Sequence, residues 1–214
     1  MTKYKLIIFD LDGTLADTSP GILECHRFTN AAMGRPIADE GVLYDIIGGP
    51  LLTTYKTRFG YSEGEARKAI QIYRTHYAEV GFTGSTLYTG IVECLRGLKE
   101  EGCLLAVATL KAERLAKQIL HLLEIGAYFD LIHGMDEQDT FSKQDLLRMC
   151  MNELQVRPSH TVLIGDSIHD ADGAKQAGID FLGVTYGFGF KKGMTSADYR
   201  TVDSCREIRR WLQL

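Results

Sequence analysis

Five short segments that are apolar along almost their whole length are spaced along the 214-residue chain, and amphipathic segments lie between most of them. Parallel strands that are covered by helices on both faces have such continuous apolar runs, whereas half-exposed strands alternate apolar with polar residues. The order of strand, helix and strand therefore predicts an α/β fold built on a doubly wound parallel sheet. The predicted strands are residues 5–10, 104–109, 131–134, 161–165 and 181–185.

A long segment after the first predicted strand interrupts this alternation. Between residues 19 and 83 no strand pattern occurs, and apolar residues recur at helical spacing. We therefore predict a small helical domain at residues 18–85, inserted into a core domain that consists of residues 1–17 and 86–214. We expect the inserted domain to be a cap that excludes water from a site on the core domain. The alternative is a helical decoration without such a role.

Charge and composition limit the partners of the chain. The formal net charge is −4, which disfavours a broad basic surface for a nucleic acid polymer. No apolar stretch is long enough to cross a bilayer, and the segment before the first strand lacks the pattern of a secretory signal. Five dispersed cysteines without a Cys-x-x-Cys pair are typical of reduced thiols. We expect a cytoplasmic monomer or homodimer that acts on a small molecule.

Carboxylates directly follow two of the predicted strands. Asp10 and Asp12 follow the first strand, and Asp166 and Asp170 follow the fourth. The carboxyl ends of parallel strands meet at one edge of the sheet, where doubly wound folds bind their ligands. Side chains two residues apart leave an extended strand on the same face, so we expect Asp10 and Asp12 to point the same way. Carboxylate oxygens suit Mg²⁺, and no His and Cys residues have the spacing of a zinc site.

These carboxylates belong to an ordered set of motifs that resembles a known family. The motif residues are Asp10, Asp12, Gly13 and Thr14 in Asp-x-Asp-Gly-Thr, then Thr109, then Lys143, then Gly165, Asp166 and Asp170 in Gly-Asp-x-x-x-Asp. In this order they are similar to those of the haloacid dehalogenase superfamily, and the resemblance covers nearly the whole chain. The length and the position of the insertion resemble the phosphoglycolate phosphatase group. Residues 47–51 and 183–189 resemble the 5′-nucleotidase-like members of that group.

The resemblance implies a role for each motif residue. Asp10 would be the nucleophile that forms an aspartyl-phosphate, and Asp12 would act first as general acid and then as general base. Thr109 would bind a phosphoryl oxygen, and Lys143 would balance the negative charge of the nucleophile and of the phosphoryl group. The implied Mg²⁺ ligands are Asp10, Asp12 through its backbone carbonyl, Asp166, and Asp170 in either the inner or the outer shell.

Two assignments stay open at the level of sequence. The lysine of the family often lies in Lys-Pro-x-Pro, and these prolines are absent after Lys143. Lys111, two residues after Thr109, is therefore the alternative essential lysine or a further substrate ligand. In the inserted domain, Gly48 and Gly49 would let the backbone approach a substrate, or they form a turn between helices.

The activity that the resemblance implies is Mg²⁺-dependent hydrolysis of a small phosphomonoester, either phosphoglycolate-like or a nucleoside monophosphate. A phosphosugar mutase or a pyrophosphatase on the same fold is the alternative, and a domain that binds phosphate without turnover is a third. A dehalogenase is disfavoured because it would need neither Asp12 nor a metal ligand at Asp166.

Overall fold

Eight strands and eight α-helices lie within the residues that the structure describes. The structure is a computed structural model that describes residues 2–37, 46–47, 51–136, 140–194 and 196–213. The strands are β1 (Leu6–Phe9), β2 (Ala16–Asp17), β3 (Thr86–Leu87), β4 (Leu104–Ala112), β5 (Leu131–Met135), β6 (Thr161–Gly165), β7 (Asp180–Val184) and β8 (Arg200–Val202). The helices are α1 (Ser19–Ala32), α2 (Leu51–Thr57), α3 (Glu63–His76), α4 (Ile91–Glu100), α5 (Glu113–Leu122), α6 (Lys143–Glu153), α7 (Ile168–Ala177) and α8 (Cys205–Trp211).

A six-stranded sheet with parallel pairing throughout organises the core. Its strand order is β5-β4-β1-β6-β7-β8, so the chain extends from β1 in both directions. This topology confirms the predicted doubly wound α/β fold. The order of the strands reverses at β1, and such a reversal is the place where open α/β sheets bind ligands.

The central strands are covered on both faces. Every residue of β1 and of β6 is buried. Because successive side chains of a strand point to opposite faces, this pattern requires packed helices on each side of the sheet. One apolar cluster joins Leu6 and Ile8 of β1 and Leu163 of β6 to Leu146 of α6 and Ala174 of α7. This packing fixes the starts of α6 and α7 relative to the carboxyl ends of the strands.

Two strand features differ from the prediction. The edge strand β8 (Arg200–Val202) was not predicted, because it has three residues, of which only Val202 is buried. The short strands β2 and β3 pair in antiparallel orientation, with Ala16 opposite Leu87 and Asp17 opposite Thr86. Strands of two residues are too short to show a hydrophobic period, so the sequence pattern could not indicate them.

The chain forms two compact units, Met1–Asp17 with Thr86–Leu214, and Thr18–Ser85. The second unit contains α1, α2 and α3, followed by a π-helical turn at Tyr77–Gly81. Its interior is aromatic, with the His26 ring centroid 5.5 Å from that of Tyr55 and 4.7 Å from that of Tyr73. Within the described ranges, no helix combines the length and the apolar composition that crossing a membrane requires.

Candidate active site

Three neighbouring strands bring polar side chains to one edge of the sheet. Asp10 follows β1, Thr109 lies in β4, and Asp166 follows β6. β4 and β6 are the strands that flank β1, so the three residues come from adjacent strands. The backbone N–H of Asp10 donates to the carbonyl of Ile164 at 2.9 Å, which continues the pairing of β1 with β6 beyond Phe9. All three polar side chains are buried.

Lys143 joins two of the carboxylates. It is the first residue of α6, and Ser142 caps that helix by accepting a hydrogen bond from the backbone N–H of Asp145. The Lys143 Nζ lies 2.7 Å from Asp10 Oδ1 and 2.7 Å from Asp170 Oδ1. It also donates to the carbonyl of Ala108 at 2.7 Å. The three protons of the ammonium group therefore each have an acceptor in the site.

Asp170 is held from two sides. Its Oδ1 contacts Lys143, and its Oδ2 accepts hydrogen bonds from the hydroxyl of Ser167 at 2.6 Å and from the backbone N–H of Ser167 at 3.1 Å. Ser167 and Asp170 form a capping box at the start of α7. A Cβ atom at Gly165 would lie 2.5 Å from the Asp170 carboxyl carbon, so glycine at this position leaves space for the carboxylate.

Asp166 is held by backbone groups of a loop after β7. Its Oδ2 accepts hydrogen bonds from the N–H of Phe188 at 2.6 Å and of Gly189 at 3.1 Å. Its own carbonyl accepts one from the N–H of Phe190 at 2.7 Å. The Oδ1 atom takes part in neither side-chain bond, so it is available as a ligand atom.

The buried charges of the site do not balance. Burial raises the pKa of Asp10 to about 8; the Lys143 ammonium opposes this rise, and the Asp170, Asp12 and Asp166 carboxylates add to it. Burial, followed by the Asp170 carboxylate, raises the pKa of Asp166 to about 7. Burial alone would lower the pKa of Lys143, but the carboxylates of Asp10 and Asp170 outweigh it and raise that pKa. A cation bound among these carboxylates would relieve the excess negative charge.

The donor set fits a hard divalent cation. Asp10, Asp166 and Asp170 each offer a carboxylate oxygen, and these three atoms lie within 4.8 Å of one another. Mg²⁺ binds through one or two carboxylates, keeps several waters and commonly takes a substrate phosphate as a further ligand. Because both oxygens of Asp170 already have partners, Asp10 and Asp166 are the better candidates for direct ligands. Asp170 then suits the outer shell, where it orients Lys143.

Asp12 and Lys111 form a second pair in the same unit. Lys111 Nζ lies 3.2 Å from Asp12 Oδ2, and the two side chains are 9% and 15% exposed. β1 ends at Phe9, and the carbonyl of Leu11 accepts hydrogen bonds from three following N–H groups. Asp12 therefore lies in a tight turn rather than in an extension of β1, and it has a different lysine partner from Asp10.

The structure thus separates the two candidate lysines. Lys143 contacts Asp10 and Asp170, whereas Lys111 contacts Asp12. Thr109 is buried, and its Oγ1 accepts a hydrogen bond from the N–H of Lys111 at 3.2 Å. The predicted cap residues Gly48 and Gly49 lie outside the described residues.

Sequence reasoning missed two parts of this site. One is the carbonyl of Ala108 that accepts from Lys143, and the other is the pair of N–H groups, of Phe188 and Gly189, that hold Asp166. Backbone groups occur at every position and carry no sequence signal of their own. The available signal was the glycine-rich stretch at residues 183–189, which was recognised as a resemblance without a role.

Comparison with known proteins identifies the family. The profile of the haloacid dehalogenase-like hydrolases matches residues 7–184, and the chain belongs to this family. The resemblance that the motifs indicate is therefore confirmed.

Proteins with similar sequences include both a kinase and a nucleotidase. The tyrosine-protein kinase PtkA of Mycobacterium tuberculosis is 37% identical over 86% of this chain, which spans 63% of the length of that kinase. A 5′-nucleotidase of Pseudomonas aeruginosa is 34% identical over 87% of this chain and 85% of its own. The crystal structure of a predicted phosphatase from Clostridium acetobutylicum is similar with a TM-score of 0.90, at 32% identity and with 99% of each chain covered.

Proposed function

We propose that this protein is a Mg²⁺-dependent phosphatase that hydrolyses a small phosphomonoester through an aspartyl-phosphate on Asp10. The observation that carries the proposal is the buried arrangement of Lys143 between Asp10 and Asp170, with Asp166 near both carboxylates. A nucleophilic carboxylate that contacts both a metal cation and a lysine ammonium is suited to phosphoryl transfer, because positioning and charge neutralisation supply most of the catalysis in that reaction. Family membership and the name of the 5′-nucleotidase relative support the same activity.

In the first half-reaction, Asp10 attacks the phosphorus atom. Lys143 holds the Asp10 carboxylate through Oδ1. A bond forms between a carboxylate oxygen of Asp10 and phosphorus while the bond from phosphorus to the ester oxygen breaks. Asp12, in its protonated form, gives its proton to the departing oxygen. Thr109 and Lys111 would bind oxygens of the phosphoryl group during this step.

In the second half-reaction, water releases the phosphate. Asp12, now a carboxylate beside the Lys111 ammonium at 3.2 Å, takes a proton from the water. The hydroxide oxygen bonds to phosphorus, the bond to Asp10 breaks, and inorganic phosphate leaves. Asp12 is protonated again and Asp10 is free, so the cycle closes. Mg²⁺ held by Asp10, Asp166 and the Asp12 carbonyl would neutralise phosphoryl charge and orient the ester for in-line attack.

Replacement of the nucleophile tests the proposal directly. Asp10→Asn should abolish release of phosphate from p-nitrophenyl phosphate in the presence of Mg²⁺ and leave the circular dichroism spectrum unchanged. Asp172→Asn, an exposed aspartate of α7, is the matched control and should keep wild-type turnover. Chelation of Mg²⁺ by EDTA should stop the wild-type reaction. Substantial turnover by Asp10→Asn would exclude Asp10 as the nucleophile.

We also propose a division of labour between the two units. All candidate catalytic residues fall in residues 1–17 and 86–214, which we assign as the catalytic domain, and residues 18–85 would be the cap that selects the substrate. A panel of phosphoglycolate, nucleoside monophosphates, pyrophosphate and a hexose 1-phosphate, each with Mg²⁺, identifies the substrate class. Isomerisation of the hexose phosphate without release of phosphate would indicate a mutase instead.

Phosphorylation of tyrosine is a second candidate activity, favoured by the 37% identity to PtkA. It differs from hydrolysis in the acceptor of the phosphoryl group, which would be a tyrosine hydroxyl rather than water. Incubation with γ-labelled ATP and a tyrosine-containing peptide separates the two, because transfer labels the peptide and hydrolysis releases labelled phosphate.

The cysteines support a reducing compartment. All five lie in the described part of the chain, where they are buried and form no disulfide with one another. We propose a cytoplasmic protein that is a monomer or a homodimer, and light scattering of the purified chain determines which.

A further inference from the structure

One recognised motif has no part in the chemistry proposed above. Residues 186–190 read Tyr-Gly-Phe-Gly-Phe and form a loop that is separated from the end of β7 by one residue, Thr185. We call this segment the 186–190 loop. It contributes no carboxylate, hydroxyl or amine to the proposed reaction steps, yet it touches two of the motifs that do.

The loop holds Asp166 by three backbone hydrogen bonds. The N–H groups of Phe188 and Gly189 converge on the single oxygen Oδ2, at 2.6 and 3.1 Å. The N–H of Phe190 donates to the backbone carbonyl of Asp166 at 2.7 Å. Both the backbone position and the rotamer of Asp166 are therefore set by the loop, and Oδ1 is left for another ligand.

The loop can reach Asp166 only because it carries glycine. A Cβ atom at Gly187 would overlap the carbonyl of Gly13 and lie 2.5 Å from Asp166 Oδ2. A Cβ atom at Gly189 would lie 2.6 Å from the carbonyl of Asp166. At Gly187 and Gly189, the backbone of the loop thus packs directly against Asp166 and the Asp-x-Asp-Gly-Thr turn.

The loop is also fixed to the segment that carries the nucleophile. The hydroxyl of Tyr186 donates to the carbonyl of Thr14 at 3.0 Å. The Tyr186 ring packs on Tyr88, with ring centroids 4.7 Å apart. Phe190, at the other end of the loop, is buried. One short segment therefore connects the turn after β1 with the residue after β6.

We propose that the 186–190 loop is a positioning element that sets the geometry of the Mg²⁺ site by holding one oxygen of Asp166 and presenting the other to the cation. The inference rests on the proposed function, because it assigns Asp166 as a direct ligand. Groups that orient a metal ligand typically change affinity for the metal by about 10-fold to 100-fold when they are altered.

The test is the affinity of the complete chain for Mg²⁺, measured by isothermal titration calorimetry without substrate. Gly187→Ala places a methyl group against Gly13 and Asp166, and it should weaken Mg²⁺ binding by about 10-fold or more. Gly126→Ala is the matched control, because a Cβ there meets only ordinary contacts of 3.7 Å and beyond. This control should bind Mg²⁺ as the wild type does.

A milder variant serves if Gly187→Ala does not fold. Tyr186→Phe removes the hydroxyl that donates to Thr14 and keeps the ring, and it should weaken Mg²⁺ binding by about fivefold, the effect of one hydrogen bond. Raised Mg²⁺ concentrations should restore the turnover of either variant, with an unchanged KM for the phosphate ester at saturating metal. A loop that only stabilised the fold would lower the thermal midpoint of the metal-free protein and leave the Mg²⁺ dissociation constant unchanged.

The outcomes separate this inference from the proposed function. One outcome contradicts this inference alone: the wild-type protein binds Mg²⁺ and hydrolyses the ester, and both loop variants bind Mg²⁺ as tightly as the wild type does. The loop then does not position Asp166. If wild-type protein binds no Mg²⁺, the metal assignment and this inference fail together. Weaker Mg²⁺ binding by the folded variants, restored in turnover by added metal, supports the inference.

Discussion

At the scale of single residues, the geometry around Lys143 explains why this position carries lysine. Its ammonium donates to three acceptors, on Asp10, Asp170 and Ala108, each at 2.7 Å. An ammonium directs three protons from one atom, whereas the guanidinium of arginine is a planar fork with a fixed spacing of donors. The side chain packs against Gly173 of α7, where a Cβ would lie 2.5 Å from Lys143 Cγ. The three acceptors therefore suit the ammonium of lysine, and glycine at position 173 leaves room for the lysine stem.

Loss of this ammonium should affect both rate and stability. Lys143→Met leaves two buried carboxylates without their partner, which should lower the free energy of unfolding of the metal-free protein by about 3–5 kcal/mol. It should also lower kcat by about 100-fold or more, since the charge on the phosphoryl group is no longer balanced. Urea unfolding and steady-state kinetics with Mg²⁺ measure the two effects.

Lys175→Met is the matched control for this substitution. Lys175 pairs with Asp198 at 3.0 Å on the surface, where both side chains are more than half exposed. Surface ion pairs of this kind contribute little, so kcat should stay at the wild-type value. Wild-type kcat in Lys143→Met would show that Lys143 has no part in the reaction, and Lys111 would then be the remaining candidate.

At the scale of elements, one helix cap shares a residue with the candidate active site. Among the helices that the structure describes, three begin with a capping box, at Ser62 for α3, at Ser142 for α6 and at Ser167 for α7. Of these three boxes, only that of α7 has an acidic member that also contacts the candidate catalytic lysine. The start of α7 therefore stabilises the helix and orients Lys143 through the same carboxylate, Asp170.

A comparison of two serine variants separates these roles. Ser167→Ala and Ser62→Ala should each lower the free energy of unfolding by about 1 kcal/mol, the usual effect of losing an N-cap side chain. Only Ser167→Ala should also reduce kcat, by about 10-fold, since Asp170 loses its hydrogen bond at 2.6 Å. Denaturant unfolding and kinetics test both variants, and an equal kcat in the two would contradict the coupling.

The helical unit should lose stability in mild acid. His26 of α1 is buried among aromatic rings, and burial lowers its pKa from 6.5 to about 4. The unfolded chain then binds a proton between pH 6.5 and pH 4 that the folded chain does not. The stabilisation is complete above pH 6.5 and is lost as the pH falls toward 4. This residue should remove about 2 kcal/mol of stability between pH 7 and pH 5.

Unfolding in urea at pH 7 and pH 5 measures this loss. Between pH 7 and pH 5, the free energy of unfolding should decrease less for His26→Phe than for the wild type, because phenylalanine does not titrate. The difference between the two decreases should equal the loss attributed to His26. His121→Phe replaces an exposed histidine of α5 and should keep the wild-type pH dependence. The same decrease in His26→Phe as in the wild type would assign the acid sensitivity to other groups.

At the scale of the whole molecule, the stability of the two compact units should depend on different solution conditions, on Mg²⁺ in one unit and on pH in the other. The candidate metal residues all belong to Met1–Asp17 and Thr86–Leu214, whereas His26 belongs to Thr18–Ser85. A ligand stabilises the part of a protein that binds it, by about 2.7 kcal/mol when its concentration is 100 times the dissociation constant. Mg²⁺ should therefore act on the first unit.

Hydrogen exchange followed by mass spectrometry should locate this effect. Mg²⁺ should slow exchange in peptides that cover the ends of β1 and β6 and the 186–190 loop, and leave peptides of α1 and α3 unchanged. EDTA should reverse the protection, and Asp166→Asn should not show it. Protection confined to α1 and α3 would place the metal outside the proposed site.

The sequence predicted the sheet well because continuous apolar runs have a direct physical cause, burial on both faces. Strands β2, β3 and β8 were missed because two or three residues cannot display a period. Carboxylates at strand ends indicated a cation site, since like charges rarely gather without one. The turn at Asp12 and the hydrogen bonds from the 186–190 loop to Asp166 involve backbone groups, which occur at every position. For the loop, the glycines of residues 183–189 were the available sequence signal.

The position of β1 in the sheet has a consequence for synthesis on the ribosome. β1 pairs with β4 and with β6, so Leu6 finds its partners at Leu104 and Thr161. The helical unit is contiguous in the chain and can fold as soon as it leaves the exit tunnel. The fully apolar β1, by contrast, stays unpaired while the helical unit and the strands β4 and β6 are translated. The nascent chain therefore carries an unpaired hydrophobic strand until β4 and β6 have been made, and a chaperone that shields Leu6–Phe9 should raise the yield of folded protein.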